Sequence, residues 1–218
     1  MFQMKFYTKF LILICILLTV NPLKAQSIFK GGIVAGLNAA QLDGDVAAGY
    51  HKVGLNAGVR ATIDLGGRFE FLTEILYSQR GSRTTDIEAS FFTRTCTLNY
   101  LEVPVLVNIR DWISTTESGE KYYKVHFSLG VSYGRLFSTN ANDNFVNLLF
   151  PNSNAIDLFE KNDLSYMAGV GYFVNQHWGF SCRIAKSFGL LYDSKKYLNL
   201  PFGDLKGHYL TFQTVWIF

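Results

Sequence analysis

KYYKVHFSLGVSYGRLF, residues 121–137, decides the fold. Its odd positions Tyr123, Val125, Phe127, Leu129, Val131 and Tyr133 are apolar, and its even positions Lys124, His126, Ser128, Gly130, Ser132 and Gly134 are polar or small. A strand sends successive side chains to opposite faces, so a period of two separates these sets cleanly, whereas a helix would mix them. The same division recurs upstream in Tyr50 to Leu65. There Val53, Leu55, Ala57, Val59, Ala61 and Ile63 alternate with Lys52, Gly54, Asn56, Gly58, Arg60 and Thr62.

Outward from these two stretches the pattern extends to eight strands. Lys30 to Gln41 and Gly207 to Phe218 supply the first and last. Arg68 to Arg80 turns Phe69, Phe71, Ile75 and Tyr77 to the apolar side, and Thr95 to Ile109 turns Leu101, Val103, Val105, Val107 and Ile109. Around Asn175 a pair follows, with Tyr166, Ala168, Val170 and Tyr172 and then Trp178, Phe180, Cys182 and Ile184. After the first twenty residues no hydrophobic run approaches the roughly 20 residues of a membrane helix, yet 49% of the chain is apolar and 16% aromatic. Strands of about 10 residues with alternating faces reconcile the two, because a closed sheet can cross a bilayer with every backbone group paired. The sequence therefore predicts an all-β fold: an eight-stranded antiparallel up-and-down transmembrane barrel with short periplasmic turns and longer extracellular loops.

The spacing of the connections agrees with that expectation. Tight turns fall at Leu65–Arg68 and Asn175–His177, and loops at Asp43–Gly49, Ser82–Arg94, Ser138–Asn162 and Leu190–Lys206. Only Asp111–Glu120 is longer than a periplasmic turn should be. Aromatic rings prefer the two membrane–water interfaces. The register predicts a periplasmic girdle of Phe29, Phe69, Trp112, Tyr123, Tyr172, Trp178, Trp216 and Phe218, and an outer one of Tyr50, Tyr77, Tyr133, Phe137, Tyr166, Phe188 and Tyr209.

A single domain is expected, the barrel over residues 26–218, preceded by a signal peptide over residues 1–25. Lys5 and Lys9 precede the apolar run Phe10 to Val20, and Ala25 supplies the small residue before a cut at Gln26. Cys15 sits inside the apolar core rather than at the cut, which argues against a lipid-anchored lipoprotein. The leader holds three of the 20 basic residues and none of the 17 acidic ones, so the remainder is formally neutral and gives no support to nucleic-acid binding. Cys96 and Cys182 are the two cysteines beyond the leader; their oxidation state is open, and they form no metal motif.

A soluble lipocalin-type barrel would also alternate, but it hides its apolar face and wets its exterior. Here the second face carries Arg60, Glu70, Glu74, Glu102, Arg110 and Arg183 on successive strands. Eight strands enclose room for side chains and little else, so these charges are expected to pair with one another as a network filling the lumen. Glycines on that face, Gly54, Gly58, Gly130 and Gly134, would leave space for them.

Residues 100–107, YLEVPVLV, resemble the YLE[IV]P strand of the PorT-like family of outer-membrane β-barrel proteins of Gram-negative bacteria. Gly36-Leu37-Asn38, Gly169-Val170-Gly171-Tyr172 and the terminal Phe218 are further points of likeness. The resemblance covers the chain beyond the leader. It implies an outer-membrane location and a link to protein secretion in some relatives, with no common activity. Pro104 in that motif lacks an N–H, and a closed barrel has no edge on which to place it, so a bulge or a broken ladder bond is expected there, with Glu102 directed inward.

For an enzyme, the candidate constellations are His51 with Asp43 and Asp45, and His208 with Asp204 and Ser194. Neither carries a motif, and GxxxxGK[ST], HExxH, CxxC and GxSxG are all missing, so neither cofactor nor metal is implied. The expectation is a non-enzymatic structural or interaction component. A narrow porin-like channel for small solutes is the alternative, and an outer-membrane enzyme acting on lipid or peptide is the third reading. The implied partners are outer-membrane lipid, the barrel-insertion machinery reading Trp216 and Phe218, and a protein at the loop 138–162. That loop contains Phe145, Leu148, Leu149, Phe150 and Phe159, which either meet a partner or fold back over the barrel mouth.

Overall fold

The computed structural model describes residues 28–44, 49–84, 94–143, 158–194 and 203–218. The expected leader 1–25, Asp45, and Phe145 to Phe150 of the long loop lie outside these residues. Eight strands follow in chain order: β1 (Phe29–Asp43), β2 (Lys52–Gly66), β3 (Phe69–Arg83), β4 (Arg94–Thr115), β5 (Lys121–Asp143), β6 (Asn162–Phe173), β7 (Trp178–Ser187) and β8 (Lys206–Ile217). Each pairs antiparallel with its sequence neighbours, and β8 closes on β1.

The register fixes the shape of the barrel. From Gly31, cross-strand partners run through Ala61, Thr73, Val105, Val131, Tyr166, Lys186 and His208, and return to β1 at Gln41. The sheet thus closes with a shear of ten residues, which for eight strands tilts them about 40° from the axis. At that tilt the interior is filled by side chains.

The apolar face looks outward. Leu129 is 69% exposed and Ile33, Leu55, Val59, Ile75, Phe127, Val170, Phe180 and Phe212 are all exposed, while the alternate positions are buried. In water so continuous an apolar exterior would be unstable; in lipid it is the required surface. Aromatic contacts mark both ends of the band. At the end carrying both short turns Trp178 packs edge-on against Trp216 with centroids 4.8 Å apart, and at the other Tyr166 packs on Phe188 at 5.4 Å.

Several boundaries differ from expectation. β4 and β5 reach Thr115 and Lys121, so the anomalous connection reduces to a tight turn over residues 116–120, in which Gly119 N–H bonds to the Thr116 carbonyl at 3.0 Å. Its length in the sequence is strand, not loop. β5 continues to Asp143, so the loop expected from Ser138 starts later, and β3 carries the chain through Ser82 to Arg83. Tyr209, assigned to the outer girdle, is only 1% exposed. It shares the parity of Thr211 and Gln213 on β8, which faces the lumen, and a cation inside holds it there.

Pro104 breaks a ladder without making a bulge. The β3–β4 pairing passes from Thr73↔Val105 to Leu76↔Glu102 in unchanged register, omitting Glu74↔Pro104 and Ile75↔Val103. Arg110 N–H bonds to the Arg68 carbonyl, so even-numbered residues of β4 direct their backbone groups toward β3. The N–H that proline lacks therefore belongs to that seam, and the Thr73 hydroxyl occupies the Pro104 carbonyl at 3.0 Å. The register shifts instead at Asn99/Tyr100 and at Asp64/Gly66.

Candidate functional site

The six charges expected in the lumen all lie there, buried. They form separate groups and recruit residues that sequence reasoning did not single out. Across the middle of the barrel Arg60 and Glu74 are cross-strand partners on β2 and β3, and Arg183 reaches them from β7. Glu74 accepts from Arg60 Nε at 2.7 Å and from Arg183 Nη1 and Nη2 at 2.6 and 3.1 Å. Two guanidiniums share one carboxylate whose side chain is 0% exposed.

Glu102 does not join Arg60, Arg110 or Arg183. Toward the loop end Arg80 spans Glu102 at 2.6 Å and Asp163 at 2.8 Å, its guanidinium lying between the rings of Tyr209 and Tyr100 at 3.9 and 4.8 Å. The Tyr209 and Ser132 hydroxyls both donate to Glu102 Oε1 at 2.7 Å. Stacking on two aromatic faces and two carboxylates compensates a cation that has lost its water. Arg80 has the parity of Glu70 and Glu74 on β3, and Asp163 pairs with lumen-facing Gly134, so alternation alone would have found both once β6 was extended to Asn162.

Near the turn end Arg110 makes a two-pronged bond to Asp64, at 2.8 and 3.0 Å, and approaches Glu70 at 3.6 Å. Glu70 also accepts from Asn108 at 2.8 Å, and His126 Nδ1 stands 3.7 Å from it. Neutral bonds fill the gaps between the groups: Asn38 donates to Ser78, Thr211 to Asn38, and Gln213 to Asn56, at 3.0, 2.8 and 2.7 Å.

Above Arg80 the lumen closes with an apolar layer of Leu42, Cys96, Leu98, Tyr100, Leu136, Leu191, Tyr192 and Leu205. Leu158 and Phe159, the described end of the long loop, pack against it. This part of the loop thus folds over the mouth. Cys96 faces this layer and Cys182 the lipid side, so the wall separates the two thiols and no disulfide joins them. Of the four inner-face glycines, Gly134 looks onto Arg80 and Tyr100, whereas a Cβ at Gly54, Gly58 or Gly130 would strike the neighbouring strand's carbonyl oxygen. Close strand approach, rather than room for long side chains, explains those three.

Among the described residues, which leave out Asp45, the enzyme candidates are not assembled as triads. Ser194 Oγ donates to Asp204 at 2.8 Å, but His208 bonds the Tyr50 hydroxyl, at 3.0 Å from Nε2. Asp43 is taken by Gln41 and Lys186, at 2.6 and 3.0 Å, and His51 lies in the bend after Gly49. Among the described residues no group of His, Cys, Asp and Glu has the geometry to hold a metal.

Among solved structures, the barrel is similar to the attachment invasion locus protein Ail of Yersinia pestis in complex with the heparin analogue sucrose octasulfate. The two are 10% identical over 88% of this chain and 99% of that one, with a TM-score of 0.44. Neisserial surface protein A is 12% identical, over 87% and 97% with a TM-score of 0.37, and the outer membrane protein AlkL is 13% identical, over 90% and 94% at 0.36. No curated protein matches the chain. Residues 24–192, most of the strands described above, match the family profile of the outer membrane protein beta-barrel domain. With its apolar exterior, its charged interior and that match, the chain belongs to the outer membrane protein beta-barrel domain family.

Proposed function

We propose that this protein is a non-enzymatic structural or interaction component of the Gram-negative outer membrane, a filled barrel that holds its loops at the cell surface. The observation that carries this reading is the lumen. Three charged groups cross it in series and an apolar layer covers its loop end, so every buried ion among the described residues has a partner and a solute would have to break each set in turn. That arrangement disfavours the narrow porin-like channel. Ser194 and Asp204 bond each other while His208 turns to the Tyr50 hydroxyl, which disfavours an enzyme acting on lipid or peptide.

Export by a cleaved leader over residues 1–25 and insertion by the barrel machinery, with Trp216 and Phe218 as its signal, complete the proposal. Phe218 is 73% exposed beside the turn-end aromatics, available to be recognised. The PorT-like resemblance of residues 100–107 suggests a place near protein secretion. Photo-crosslinkers incorporated in cells at exposed loop-end positions such as Lys161 test the interaction half: a discrete protein adduct is expected, and adducts to lipid alone would count against it.

A further inference from the structure

We infer that the turn end of the barrel contains a binding site for a compact oxyanion group, of phosphate or carboxylate size. Beneath the Arg60–Glu74–Arg183 group lies a cavity of about 110 Å³, walled by residues of β1 to β6 and β8 and by Gln176 of the turn before β7, and open toward the turns. Its volume suits a small anion with a few waters and is too small for a folded segment.

Charge selects the class of ligand. Lys30 and Lys121 line the cavity, and no ion pair to either is found among the described residues. Arg60 and Arg110 line it as well, against Asp64 and Glu70. Asp64 is spent on Arg110, and the carboxylate above, Glu74, is shared by two arginines. Counting Arg183 and Glu74 with the lining groups, five cations face three carboxylates, an excess of two positive charges with His126 neutral. Low-dielectric walls with one opening focus that field on whatever enters. The Arg110 guanidinium is fixed at the cavity wall, its Nη atoms donating to Asp64 and to the Gly67 and Phe69 carbonyls.

The refolded full barrel, in nanodiscs of phosphatidylcholine with its arginine side chains labelled by nitrogen-15, provides the test. Inorganic phosphate should move the Nε–Hε resonances of Arg110 and Arg60 saturably, while chloride at matched ionic strength should not. Lys30→Gln with Lys121→Gln should weaken the apparent affinity about tenfold, as expected for two partly solvated charges near the anion. A response seen only when phosphatidate is in the disc would uphold the site and assign a lipid headgroup as its source. Shifts that follow ionic strength alone, or equal affinity in a double variant that retains heat-modifiable migration, would overturn the inference. If the double variant does not fold, the parent's saturation behaviour still decides it.

Discussion

Replacing Glu74 by Gln keeps the shape of the central side chain and removes the one negative charge between Arg60 and Arg183. Both guanidiniums lie at hydrogen-bond distance from it, 2.6 to 3.1 Å. At an effective dielectric of about 20, charges about 4 Å apart attract by roughly 4 kcal/mol, so Glu74→Gln forfeits two such terms and leaves two like charges adjacent. The cavity below lets water reach Arg60 and recovers part of that loss. The net cost should be about 3–5 kcal/mol, the range for orphaning a buried ion. Arg60→Met should cost clearly less, because Glu74 keeps two bonds to Arg183 and the group keeps a balanced pair. Urea unfolding of the refolded barrel in detergent, followed by fluorescence of its three tryptophans, measures both. A Glu74→Gln barrel within about 1 kcal/mol of the parent, or an Arg60→Met barrel as unstable as Glu74→Gln, would refute the electrostatic account.

Tyr209→Phe removes the hydroxyl that donates to buried Glu102 at 2.7 Å and should cost about 1–3 kcal/mol by the same assay, leaving the stack on Arg80 in place. Gly58→Ala should destabilise by about 1–3 kcal/mol, since its Cβ would meet the Ile75 carbonyl oxygen on the adjoining strand. Gly134→Ala should cost less, because the nearest atom, 3.1 Å away, belongs to the Tyr100 ring. Deleting Phe218 should lower the amount of folded barrel in the outer membrane, read by heat-modifiable migration; normal levels would remove its role as an assembly signal.

Alternation in residues 121–137 carried the fold, because each membrane strand must keep one face apolar and a closed barrel must pair every strand. The lumen residues were legible for the same reason: parity alone places Arg60, Glu70 and Glu102 inside. Which acid meets which base was not legible. Arg80 reaches Glu102 on β4 and Asp163 on β6 only because a shear of ten residues brings those positions to one level, and shear depends on register rather than composition. Tyr209 misled because a tyrosine near a strand end suits a girdle as well as it suits a cation. Pro104 announced a fault in the ladder, but the sequence could not distinguish a gap from a bulge, since the outcome depends on which neighbour its backbone faces.

The central claim is that the lumen is sealed, and ion conductance tests it most directly. Purified barrel inserted into a planar bilayer, with insertion verified by protease protection, should show no stepwise current at physiological salt. Stable, reproducible conductance steps would contradict the account and restore the narrow channel.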